Sequence, residues 1–356
     1  MDFFAKYVSN TTAGSGNQTF FTDGDGVGRV FYRLFCGGKF QYSLLFSNIL
    51  DSTFADGSIS RKNQLCKPWV LRHAAYCVTK DCSVQLKDSL FRPLTFLGKR
   101  EKTVMPGEFF FTDEVEIEAE AGDYLCIEIS FRGSMLPKHE EINIPTYVLK
   151  DGSFVPSKDM PVPLMVGCNR QVKKRVAYLG DSITQGIGTE LNSYAHWNHR
   201  VSQMLGNDYA YWNLGIGYGR AEDAASDGAW LYKASQNDCV IVCFGVNDIL
   251  QYADGEAIKA HLTKIIRLLK ERGAQVILQT IPPFEYQESK VPVWRELNRY
   301  IREELSKHCD AVFDVVPILG QKEHPDKPRY GGHPNAEGCR AWAKALSPVV
   351  AGVLAE

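Results

Sequence analysis

Long hydrophobic runs are missing from this chain of 356 residues. No stretch approaches the roughly 20 apolar residues that cross a bilayer. The opening MDFFAKYVSNTTAGSG carries one lysine but no apolar run of the length a secretory signal needs. These absences predict a soluble, cytoplasmic protein with no membrane partner. An excess of one charge is missing too: 40 Lys and Arg stand against 42 Asp and Glu, for a net charge of -2. The basic residues are scattered, so nothing is built to neutralise a phosphate backbone and no nucleic-acid partner is expected. No Cys-x-x-Cys pair occurs among the ten cysteines, and in so long a chain they need not form disulfides. Cys239 and Cys243 lie in an apolar run, where free cysteine acts as a small hydrophobe, so buried reduced thiols are expected. Internal repeats and low-complexity tracts are absent as well.

What is present is ordinary globular usage, 44% apolar and 23% charged. At about 100 to 200 residues per domain the length predicts two domains. Up to about residue 150 the chain reads as short strands, with RVFYRLF at 29–35, KFQYSLLF at 39–46 and EVEIEAEA at 114–121. Val115, Ile117 and Ala119 alternate with glutamates, and Leu125, Ile127, Ile129 and Phe131 alternate with Cys126, Glu128 and Ser130. That is the period of strands with one buried face. Gly37-Gly38 and Ala121-Gly122-Asp123 fit hairpin turns. Many short strands with almost no helical pattern predict an all-β, jelly-roll-like sandwich over 1–165.

Between Lys150 and Asn169 three prolines, Pro156, Pro161 and Pro163, suit an extended connection and a domain boundary. From Arg175 onward the pattern changes. Apolar runs at 176–180, 209–215, 239–245, 275–281 and 311–316 alternate with amphipathic stretches. The clearest of these is 256–272, where Ile258, Leu262, Ile265, Ile266 and Leu269 fall at helical spacing and Gly273 can close the end. Parallel strands need crossovers, so this alternation predicts a three-layer α/β domain over 170–356 with a flavodoxin-like parallel sheet.

In such a sheet reactive groups collect at the carboxyl ends of the strands. There the sequence has Gly180-Asp181-Ser182-Ile183-Thr184, Asn213-Leu214-Gly215-Ile216-Gly217 and Gly245-Val246-Asn247-Asp248, with Gly332-His333-Pro334-Asn335 near the end. A serine on a tight turn can face a cleft, but its hydroxyl is a weak nucleophile until a base takes its proton. Taken alone, Gly-Asp-Ser is a polar turn. Asn247 is either an oxyanion donor or a turn asparagine bonded to its own backbone. Seven other histidines compete with His333. His196 and His199 can face one metal, but a catalytic zinc usually needs a third protein ligand and no nearby motif supplies it. Helix-surface histidines are expected there, and no metal site.

Together, in this order, the four blocks resemble those of the SGNH (GDSL) hydrolases, over about 175–356. The resemblance implies an esterase that needs no cofactor. It makes Ser182 in GDSIT the nucleophile and a backbone oxyanion donor, Asn247 in GVND a side-chain donor and His333 in GGHPN the general base. It gives Asp181 and Asp248 the role of shaping the motif loops. Two departures from the family pattern stand out. In NLGIGYGR, Tyr218 occupies the position of the usual donor glycine, so the backbone donor lies within Gly217, Tyr218 and Gly219. Tyr330 stands three residues before His333, where the family places the triad aspartate. Asp326 or Glu323 can replace it from the same loop, or a main-chain carbonyl can orient the ring as in members that resemble a Ser-His dyad.

The stretches GGKFQYSLLFSN and VMPGEFFFTDEVEIEAEAGDYLCIEISF also resemble the β-sandwich that precedes the hydrolase domain in a subset of these proteins. That subset implies short acyl groups, acetyl esters on sugars or oligosaccharides. The same catalytic parts serve lipases, lysophospholipases and thioesterases. A third possibility is a carbohydrate-binding protein with a weakened or inactive hydrolase domain. The sandwich itself is either a binding or cleft-shaping module or a structural cap. Nothing in the sequence sets the oligomeric state.

Overall fold

The computed structural model describes residues 2–22, 24–52, 62–251 and 254–356. In the N-terminal half, alternating apolar residues form two antiparallel sheets. One joins Val8–Ser9, Met165–Cys168, Gly38–Ser47, Phe109–Phe111 and Val115–Ala119. The other is built around Gly24–Arg33, Tyr124–Gly133 and Trp69–Thr79. Leu125, Ile127, Ile129 and Phe131 all point into the sandwich core with Val30, Tyr32, Leu44 and Phe46. Burial of this kind is worth about 2 kcal/mol per large apolar side chain.

Two turns do something other than expected. Gly37-Gly38 does not close a hairpin: Gly24–Arg33 and Gly38–Ser47 lie in different sheets. The same holds for Ala121-Gly122-Asp123, which links Val115–Ala119 in one sheet to Tyr124–Gly133 in the other. Turn residues reverse the chain, with Gly38 and Gly122 at φ 141° and 92°, but they do not choose the strand it pairs with next. The proline-bearing stretch after Lys150 also contributes strands. Ser153–Pro156 pairs with Thr146–Lys150, and Met165–Cys168 pairs with Gly38–Ser47.

The C-terminal half holds five strands: β1 (Lys174–Gly180), β2 (Tyr209–Gly215), β3 (Cys239–Cys243), β4 (Gln275–Gln279) and β5 (Ala311–Phe313). All are parallel, in the order β2-β1-β3-β4-β5, which is the flavodoxin-like order. Helices Trp197–Leu205 and Ala336–Ala355 pack together, with Trp197 stacked on Trp342 at 4.9 Å. Helix Gly255–Glu271 packs with Ala221–Ala225 and Val291–Glu303. It starts where the Asp254 carboxylate accepts from the N–H groups of Glu256 and Ala257, buries all five residues of its predicted stripe, and ends at Gly273, φ 86°. This is an N-terminal β-sandwich joined to a three-layer α/β domain with a flavodoxin-like parallel sheet.

The two halves share more than a boundary. Phe3, Phe4 and Tyr7 enter the core of the α/β domain, with Phe4 against Trp212. Residues 12–18 then run as a strap along the α/β domain. The Thr12 carbonyl accepts from Asn213 Nδ2 at 3.2 Å, and Thr12 Oγ1 lies 2.7 Å from His199 Nδ1. His196 and His199 are therefore buried rather than on a helix surface, because the face of their helix that sequence leaves open is covered by this strap. Burial lowers His196 to about 4 and His199 to about 2, so both are neutral. Among the described residues no group of acidic, histidine or cysteine side chains is arranged to hold a metal. None of the helices described is long and apolar enough to cross a membrane. All ten cysteines are free, eight of them buried.

Candidate active site

The site forms at the carboxyl end of the parallel sheet, where strand crossovers leave a crevice. β1 ends at Gly180, where a Cβ would strike Thr184 and the carbonyl of Cys243. Asp181 follows as the N-cap of the one-turn helix Ser182–Gln185, its Oδ1 accepting from Ile183 N–H at 2.9 Å. Gly186, at φ 118°, ends the turn. Ser182 is held in its first residue, 8% exposed. Ser182 Oγ lies 2.9 Å from His333 Nε2.

His333 reaches the serine from the loop before helix Ala336–Ala355, which Asn335 caps by accepting from the N–H groups of Glu337 and Gly338. Phe284 meets the imidazole edge-on at 5.2 Å. Burial lowers the histidine below its usual range. Among the described residues no hydrogen bond reaches its Nδ1. Asp326 faces elsewhere, accepting from Arg295 Nη2 at 2.7 Å, and Glu323 is exposed. Tyr330 packs against Gly338, with Arg329 over its ring at 5.2 Å. The structure thus joins Ser182 to His333 and brings neither Asp326 nor Glu323 onto the imidazole.

Asn213 shapes the turn after β2. Its Oδ1 accepts from Gly215 N–H at 2.9 Å, and Ile216 N–H donates to the Gly180 carbonyl at 3.1 Å. Gly215 has no room for a side chain, since a Cβ there would run into the backbone of Gln185. Tyr218 sits in the left-handed region, φ 58°, where a glycine is at ease and a residue with a Cβ is strained. After β3, Gly245 takes φ 124° and turns the chain into helix Val246–Gln251. In its first turn Asn247, 8% exposed, donates from Nδ2 to the Gly219 carbonyl at 3.0 Å. Asp248 Oδ2 accepts from Ala221 N–H at 3.1 Å. Burial pushes both Asp181 and Asp248 up to about 7, and each is occupied with backbone N–H groups.

Several residues at the site carried no sequence signal. Gln18 donates from Nε2 to the Gly217 carbonyl at 3.0 Å, and the Glu141 carboxylate lies where a Gly217 Cβ would stand. The carbonyl of Glu141 accepts from Gln185 Nε2. Lys233 and Asp51 form a fully buried ion pair between the halves at 2.5 Å. A lone Gln, Glu, Lys or Asp has neither motif nor period to announce it.

A serine hydroxyl against an imidazole, on a loop bordered by N–H groups and a carboxamide, is an arrangement suited to acyl transfer. Residues 178–341 match the family model of the GDSL-like lipases and acylhydrolases. The chain thus carries a GDSL-like acylhydrolase domain and is a carboxylic ester hydrolase. Among solved structures it is similar to a putative lipolytic protein of the G-D-S-L family from Desulfitobacterium hafniense, with 20% identity over 49% of this chain and 98% of that one and a TM-score of 0.41. A carbohydrate acetylesterase family member from Sinorhizobium meliloti shares 19% identity over 51% and 100% of the two chains, TM-score 0.40. A family two carbohydrate esterase from Cellvibrio japonicus shares 13% identity over 98% and 97%, TM-score 0.41. No curated protein matches the chain.

Proposed function

We propose that the chain is a serine esterase that cleaves short acyl esters, acetyl above all, from carbohydrates through a Ser182–His333 pair. The 2.9 Å contact between Ser182 Oγ and His333 Nε2 carries this reading. An imidazole kept neutral by burial can accept the serine proton as Oγ attacks the acyl carbon. The carbonyl oxygen then becomes an oxyanion, received by the backbone N–H of Ser182, a backbone N–H of the Gly217–Gly219 turn and Asn247 Nδ2. An amide nitrogen has two protons. One proton of Asn247 goes to Gly219, which leaves the other for the oxyanion. His333 returns its proton to the departing alcohol, and a water activated at the same nitrogen releases the acid. Asp181 and Asp248 hold the loops in place through their backbone contacts.

The pair works without a carboxylate partner, since Asp326 is engaged by Arg295. Phe284 also borders a groove of about 590 Å³ that includes Glu285, Arg295, Gln321 and Lys327. Among the described residues the groove meets the histidine only through Phe284, and its aromatic and polar walls suit a hydroxyl-rich alcohol better than a long acyl chain. Ten free thiols suit a reducing, cytoplasmic compartment.

The test is hydrolysis of p-nitrophenyl acetate, butyrate and octanoate and of acetylated xylo-oligosaccharides by the wild type and Ser182→Ala. The expected result is a rate that falls with chain length and is lost by at least about 10⁴-fold in the variant. A preference for octanoate would turn the reading to a lipase, and equal, negligible rates in both proteins to a binding protein.

A further inference from the structure

The turn after β2 is tied to its own domain at its ends. Ile216 N–H bonds to Gly180, Gly219 N–H bonds to the Ile216 carbonyl at 3.0 Å, and Asn247 holds the Gly219 carbonyl. In its middle lies the Gly217–Tyr218 peptide, and there the contacts come from the N-terminal half. Gln18, fully buried, donates to the Gly217 carbonyl, and the Glu141 carboxylate packs on the Gly217 Cα. A trans peptide is planar, so its C=O and N–H point in opposite directions. Holding the Gly217 carbonyl toward Gln18 therefore aims the Tyr218 N–H to the other side of the turn.

The conformation needs holding. Rotating this peptide by half a turn would carry φ of Tyr218 from 58° into the extended region that a tyrosine prefers. It would also reverse the N–H and present a carbonyl oxygen in its place. We propose that Gln18 and Glu141 are positioning residues that lock the Gly217–Tyr218 peptide with its N–H toward the oxyanion, so that the esterase site is complete only with the N-terminal strap docked. This rests on the Ser182 esterase reading. Burial pushes the Glu141 carboxyl up, against the pull of Lys158.

The variant to make is Gln18→Met, which keeps length and bulk but cannot donate. With p-nitrophenyl acetate, kcat is expected to fall about 10- to 100-fold, less than the loss of a whole oxyanion donor, while KM stays within about twofold. Inhibition by phenylboronic acid, whose serine adduct places an oxygen where the oxyanion forms, should weaken by the same factor as kcat/KM. Adding Tyr218→Gly should recover much of the loss, because glycine adopts the positive φ without strain. Glu141→Ala gives the same pattern at a smaller size, about 5- to 10-fold in kcat, and serves if Gln18→Met folds poorly. The proposal is overturned if folded variants keep kcat within twofold, or if kcat falls while boronate affinity holds and Tyr218→Gly rescues nothing. Ser182→Ala run alongside separates the two ideas. If it keeps the wild-type rate the esterase reading fails, whereas if it is inactive and the N-terminal variants are not, only the positioning role fails.

Discussion

The two sides of the site are built from different parts of the chain. On the proposed nucleophile side, Ser182, His333 and Phe284 all come from the α/β domain. On the proposed oxyanion side, the turn after β2 is anchored by its own domain at Asn213 and Asn247 but contacted in the middle by Gln18 and Glu141. The nucleophile side resembles a self-contained motif, and the oxyanion side a joint between two halves. The sandwich meets the α/β domain through buried polar contacts, Gln18 to Gly217 and Asp51 to Lys233, and on the proposal above these contacts make it part of the site's architecture.

The comparison breaks most visibly at the joint. Lys233→Met leaves the Asp51 carboxylate buried without its cation, and losing one member of such a pair costs about 3 to 5 kcal/mol. Urea unfolding should show that loss in a single transition of both halves; two separate transitions, with the α/β domain unaffected, would mean that the joint carries no cooperativity. Next in size is Asn247→Ala, expected to lower kcat about 100- to 1000-fold with KM nearly constant. A change in KM alone would assign Asn247 to ground-state binding. The smallest effect tests the nucleophile side. Asp326→Asn should change kcat by less than about threefold, because the carboxylate serves Arg295, whereas a triad acid is worth about 10⁴-fold.

The same variant sharpens the pH profile. A base works only when unprotonated, and burial lowers His333 below the ordinary histidine range. Activity should therefore hold at neutral pH and fall only as pH drops below the usual histidine range. Asp326→Asn should leave that limb where it is, while a shift downward would show that the carboxylate had been supporting the imidazolium.

Much of the fold was legible because its signals are local. The five apolar runs after Arg175 became the five parallel strands, and the stripe from Ile258 to Leu269 became a buried helix face. In the sandwich the strands were legible and their partners were not. Gly37-Gly38 announces a reversal equally well whether the next strand joins the same sheet or the opposite one.

By itself the sequence determined the grammar of both halves and the order of the motif blocks, since period-two and period-3.6 burial and tight-turn residues act over a few positions. The tertiary structure alone decided what meets across long separations. It set Asp326 on Arg295 rather than His333, covered His196 and His199 with the N-terminal strap, and delivered Gln18 and Glu141 to a turn some 200 and 76 residues away. The physical reason is that a buried polar contact is fixed by the docked geometry of two surfaces, and a single Gln or Glu has no periodicity from which that docking can be read.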